Sequence, residues 1–210
     1  MAWTVGSKEE LDSLDEVFKT SSPRIITIMC AAILDSALET ALKLRFVDHE
    51  KFNQIMFDPA NGALGPYMPK VYLGFLLGMY DLAARNAFSG IAKIRNVFAH
   101  KVGTTDYLAS DPDLVKGFGY LTLHTKFTHY PNVEGLESGK IKIAPPTTEG
   151  DIFVTNFRIL RMILLCDKFH HQMYSNAPAT PEEMIAYFDK TYGTREAWHQ
   201  KYERQPPRAP

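Results

Sequence analysis

Apolar residues recur three and four positions apart along most of the chain, and glycine and proline cut that pattern into segments. This is helical periodicity. Leu11, Leu14, Val17 and Phe18 make a short amphipathic helix that ends near Thr20, and Ser7 with Glu10 has capping-box spacing at its start. Ser22-Pro23 begins a second helix, with a hydroxyl to cap it and a proline where the amide has no partner anyway. From Arg24 to about Phe46 there is no glycine or proline, and Ile25 to Leu34 is apolar almost all round, as befits the centre of a bundle. Asp35 and Glu39 then fall four apart, on one face. His49 to Phe57 reads as a short helix, and 58–66 as a loop. Tyr67 to Met79 reads as helix, with Gly74 and Gly78 on one face allowing close packing. Asp81 to about Lys101 is a second long helix, with Leu82, Ala84, Phe88, Ile91, Ile94 and Phe98 as its stripe.

Residues 104–150 differ in character, with recurring Gly, Pro, Asp and Ser. Asp111-Pro112-Asp113 predicts a short helical turn. Residues 120–124 and 140–143 alternate like strands and are predicted either to pair as a small hairpin or to remain loop. Helical periodicity returns from Asp151 to about Met173, with Phe153, Phe157, Leu160, Ile163, Leu164, Cys166 and Phe169 on the buried side. Thr180-Pro181-Glu182-Glu183 is a further helix start, and a last helix is predicted from Thr194 to Glu203. The expected fold is all-α: an irregular helical bundle with a small irregular or hairpin insertion near 116–150. Residues 1–180 form one domain, with long helices at about 23–46, 81–101 and 151–173. Residues 181–205 form a helical appendage and 206–210 a frayed tail.

Composition narrows the function classes. The chain has 210 residues, 23 Lys plus Arg against 24 Asp plus Glu, and a formal net charge of -1. That balance is unlike a strongly basic nucleic-acid binder and unlike an acidic tail protein. No basic recognition helix stands out, so direct DNA reading is not expected. Two cysteines, Cys30 and Cys166, are too few for a disulfide framework and read as buried thiols. No segment has the features of a secretory leader, and the longest apolar run, Ile28 to Leu34, is short for a membrane span. The expectation is a soluble cytoplasmic protein with no membrane contact.

One segment carries candidate chemistry: Ile94-Arg95-Asn96-Val97-Phe98-Ala99-His100, at the end of the second long helix. Asn96 and His100 lie about 40° apart on the helix, within contact of each other. Arg95 and His100 lie about 140° apart, so a shared site needs a reaching side chain, a tightened helix end or a second subunit. Arginine can neutralise a phosphoryl group, and histidine can move protons near neutral pH. The structural reading of the same residues pairs Arg95 and His100 with Asp35 and Glu39 as a polar cluster. Elsewhere, Arg158 and Arg161 read as a solvated face more readily than as an anionic cleft. Cys166 with His170 lacks the further ligands that a metal site needs. Neither metal nor cofactor is expected.

The Arg–polar–four-residue gap–His pattern resembles the motif of the HEPN superfamily. A longer match resembles the mannitol operon repressor family. It runs in order through Leu34-Asp35-Ser36-Ala37-Leu38-Glu39, Leu64-Gly65-Pro66, Tyr72 to Met79, Ile91 to His100 and Ser110-Asp111-Pro112, and covers about residues 22–115. The resemblance implies a helical regulator that acts through another protein rather than by reading DNA, with a dimer as its expected state. Its HEPN side implies the alternative, a metal-independent ribonuclease acting on RNA from a dimer cleft. There Arg95 would stabilise phosphate charge, His100 would be the general acid and base, and Asn96 would orient it.

Overall fold

A computed structural model of the chain describes residues 8–108, 110–127, 129–131, 140–142 and 145–175. The helices expected after residue 180 and the tail at 206–210 lie outside the described residues. Seven α-helices are present among those described: α1 (Lys8–Thr20), α2 (Pro23–Lys43), α3 (Glu50–Met56), α4 (Tyr67–Leu76), α5 (Leu82–His100), α6 (Pro112–Gly119) and α7 (Glu149–Ser175). The architecture is all-α, as the periodicity predicts. The chain divides into two compact units, 1–168 and 169–210. Helices α1 to α6, and α7 as far as Lys168, belong to the first.

The helix starts follow from capping chemistry. Ser22 accepts from the Ile25 amide at 3.4 Å with Pro23 behind it, and Asp81 accepts from Ala84 at 2.8 Å. Asp111 takes the amides of Asp113 and Leu114, and the turn predicted there runs on to an eight-residue helix, α6. At α7, the Thr148 hydroxyl accepts from the Asp151 amide at 3.1 Å, and the Asp151 carboxylate accepts from the Thr148 amide at 3.0 Å. This is a reciprocal capping box, and it starts the helix slightly earlier than Asp151. Hydrogen bonds from Thr147 and Thr148 hold the Asp151 carboxyl below the usual carboxylate range.

The sequence carries the fourth helix to Met79, but α4 stops at Leu76. Gly78 has φ +71°, the Met79 amide reaches back to Gly74, and the Gly78 amide reaches Phe75. That is the paired closure of a Schellman motif, and the left-handed residue ends the helix.

α2, α4 and α5 pack against one another, and α5 packs in turn on α6. The inner face of α2 (Ile26, Cys30, Ile33, Leu34, Leu38, Leu42) meets Ala84, Phe88, Ile91, Ile94 and Phe98 of α5 in one core with Phe153, Phe157 and Leu160 of α7. Tyr107 joins these layers. Its ring lies 5.3 Å from Phe98, 5.6 Å from Phe118 and 5.5 Å from Phe153, and its hydroxyl is 2.9 Å from that of Thr27.

The approach of α5 to α6 depends on two glycines. A Cβ on Gly90 would stand 2.7 Å from the Gly117 carbonyl oxygen, and one on Gly117 would stand 2.6 Å from Ile94 Cγ1. Gly90→Ala is therefore expected to destabilise by about 1–3 kcal/mol through overpacking, although alanine is the better helix former. Urea denaturation checks this, and an unchanged or raised midpoint would contradict it.

The alternating segment at 120–124 is not a strand. Leu121 and Leu123 are buried, and the backbone there is pinned to α7 by the fully buried Asn156. The Asn156 Oδ1 accepts from the Leu123 amide at 2.9 Å, and its Nδ2 donates to the Leu121 carbonyl at 3.3 Å. A 3-10 turn follows at Leu123–Thr125. The partner of Lys140–Lys142 (β2) is instead His129–Pro131 (β1), antiparallel, with Tyr130 opposite Ile141. Alternation alone does not separate a strand from a loop whose two leucines both face the core.

By length and composition α2 could cross a membrane, although its most apolar window is 44% buried within the protein. The core helix of a bundle passes the same test.

Candidate functional site

Arg95, Asn96 and His100 all reach the surface at the C-terminal end of α5. Arg95 Nη1 donates to Asn96 Oδ1 at 3.0 Å. Asn96 thus serves the arginine beside it rather than the imidazole one turn on. No hydrogen bond or ion pair joins His100 to either of them among the described residues. The last carbonyls after α5 are taken by an arginine that sequence reasoning did not single out. Arg24 Nη2 donates to Lys101 at 2.8 Å, Val102 at 3.1 Å and Thr104 at 3.2 Å. A cation there also opposes the negative end of the helix dipole. Lys101 pairs with Asp111, an interaction that raises the lysine and lowers the carboxyl from their ordinary values. An exposed guanidinium and imidazole can meet an anion, and neither is neutralised by a described carboxylate.

Asp35 and Glu39 do not hold Arg95 and His100. Lys70 of α4 lies 2.8 Å from Asp35 Oδ1 and 3.4 Å from Glu39 Oε2, while Lys43 takes Glu39 Oε1 at 2.7 Å. Lys70 is 2% exposed, and the two acids are 38% and 30% exposed. The ammonium is thus covered by protein while its partners keep some water. The physical reason is position: the acidic face of α2 turns to α4, and the exposed side chains of Arg95 and His100 lie on α5. The Lys43–Glu39 pair was legible, being four apart on one helix. Lys70 was signalled only as the single charge in the otherwise apolar stretch Tyr67–Met79. Nearby, burial first, then Tyr80 and Asp35, raise the Tyr67 hydroxyl well above its ordinary range.

The outer face of α2 is apolar. Ile25, Ile28, Met29 and Ala32, together with Ile33, which is otherwise buried in the core, line a groove of about 330 Å³. Ile25 is 54% and Ile28 41% exposed, and Val102, whose carbonyl takes Arg24, is 86% exposed.

The remaining candidates sort by environment. Cys30 is fully buried in α2, and burial pushes its thiol far above the usual range, with Arg158 opposing weakly. It is therefore not a nucleophile at neutral pH. Native protein is expected to leave Cys30 unmodified by a thiol reagent until denaturant is added; rapid labelling of Cys30 in the native state would contradict the packing. Arg158 pairs with Asp15 of α1 at 2.5 Å, but Arg161 is buried, so the pair is not one solvated face. The side chains of Cys166 and His170 lie outside those described.

No family model, no curated protein and no solved structure matches this chain.

Proposed function

We propose that this protein is a non-enzymatic regulator, of the kind mannitol operon repressors exemplify, that acts by binding another protein rather than by reading DNA. The observation that carries this reading is the apolar outer face of α2. Ile25 and Ile28 are exposed and Met29 half-buried on a helix whose opposite side is committed to the core. Contiguous apolar surface on a folded domain marks contact sites. The charge balance of the chain and the lack of a basic helix suit a protein partner better than a nucleic acid.

Affinity capture from native cells tests the reading. Wild-type protein is expected to retain a stoichiometric partner, Ile28→Asp to lose it at unchanged melting temperature, and Arg95→Ala with His100→Ala to keep it. Retention by Ile28→Asp, or loss in the Arg95/His100 variant, would overturn it.

A second reading is favoured by one specific observation: Arg95, Asn96 and His100 are exposed on one helix end and free of carboxylates among the described residues. In a homodimer two such ends facing one cleft would suit metal-independent RNA cleavage: the guanidinium holds the phosphate, the 2′-oxygen bonds to phosphorus as the P–O5′ bond breaks, and imidazole takes the 2′-hydroxyl proton and supplies one to the departing 5′-oxygen. Cleavage in excess chelator that yields a cyclic phosphate and disappears in His100→Ala would establish it. Intact RNA after incubation with concentrated wild-type protein would exclude it.

A further inference from the structure

We propose that the strip formed by Ile25, Ile28, Met29 and Ala32, with Val102 beside it, receives an amphipathic helix from a partner protein, and that this helix carries a carboxylate at the end lying over Arg24. The proposal rests on the protein-contact reading above and names the chemistry of the partner.

The strip has the spacing of a helix-docking surface. Residues 25, 28, 29 and 32 stand three and four apart, which gathers them on one side of α2. The groove along them admits apolar side chains repeated at the same interval. Small Ala32 lowers the surface at the C-terminal end of the strip.

The two ends of the strip differ in charge. At the C-terminal end Asp35 and Glu39 are matched by Lys43 and Lys70, two acids against two cations, so nothing there asks for a further charge. At the N-terminal end Arg24 has no carboxylate among the described residues. Its hydrogen bonds to three neutral carbonyls all run through Nη2, leaving Nη1 and Nε able to donate. A carboxylate over Arg24 gains a charge-assisted bond beside an apolar surface, whereas an ammonium there is repelled. A second copy of this chain is a poorer occupant. Laid on itself, the strip offers Arg24 either another Arg24 or acids already paired.

Fluorescence anisotropy with two labelled helical peptides of about 16 residues tests this, a length at which isolated helices begin to hold. Both carry leucines at the docking interval. One ends in two glutamates, the other in two lysines. The glutamate peptide is expected to bind at least ~10-fold more tightly to wild-type protein, Ile28→Asp to abolish binding of both, and Arg24→Gln to remove the preference. Because Arg24 also caps α5, circular dichroism accompanies that variant, and a salt titration of wild type gives a second readout: the preference should shrink as ionic strength rises. Equal binding of the two peptides, binding that survives Ile28→Asp, or a dimer in sedimentation that Ile28→Asp converts to monomer would each overturn the proposal. A partner that is captured in an Ile28-dependent way while the peptides show no charge preference would leave the protein-contact reading standing and remove this one.

Discussion

Tyr107→Ala is expected to destabilise the protein by about 3–5 kcal/mol, the range for removing a large buried aromatic. The size follows from the place of the ring. It touches rings from α5, α6 and α7 at centroid distances of 5.3 to 5.6 Å, and its hydroxyl meets Thr27 of α2. The loss therefore reaches four helices at once, and their polar and apolar contacts fail together. Tyr107→Phe keeps the ring and gives up the hydroxyl pair, for about 1 kcal/mol. Urea denaturation of the three proteins measures both. The same hydroxyl predicts a limit at high pH. Burial raises Tyr107, Tyr80 and Tyr67 above their ordinary range. A group whose folded value is raised contributes stability that is complete below its unfolded value and fades as pH climbs through the folded one. Stability should thus begin to fall above about pH 10, less steeply in Tyr107→Phe.

Lys70→Ala is expected to cost about 2–4 kcal/mol. Breaking a buried ion pair by deleting one partner can cost about 3–5 kcal/mol. Here Asp35 and Glu39 recover some hydration, because both are about one-third exposed, so the loss is discounted. Lys70→Met should fall between wild type and alanine, since it keeps most of the buried volume. Arg95→Ala with His100→Ala, both exposed, should stay within about 0.5 kcal/mol of wild type. Thermal melts of the four proteins decide the matter. A large loss in the Arg95/His100 variant with none in Lys70→Ala would mean that the acids of α2 are held from α5 after all.

The contrast between these residues shows how far the chain can be read without coordinates. Helices with a one-sided apolar stripe and a clear cap, such as α2 behind Ser22-Pro23 and α5 behind Asp81, were legible because periodicity and capping are local. The end of α4 was less so, since a Schellman closure needs Gly78 left-handed, and Gly74 and Gly78, four apart, read equally well as a packing face of one continuous helix. The β1 segment was missed because three residues are too few to show a period. At the site, the acids Asp35 and Glu39 were found, but their partner was assigned to the wrong helix. Which cation faces them depends on how α2 rotates against α4 and α5, a tertiary fact with no trace in spacing. Arg24 was invisible for the same reason: its acceptors lie 77 to 80 positions away in the chain.

The most direct test of a protein-contact function on α2 compares transcript levels in cells lacking the protein, complemented with one of three versions. Wild type and the Arg95→Ala/His100→Ala variant are predicted to restore the same limited set of transcripts, and Ile25→Asp/Ile28→Asp, folded with an unchanged melting temperature, is predicted to restore none. Restoration by the α2 variant together with failure of the Arg95/His100 variant would contradict it and would place the function on the end of α5.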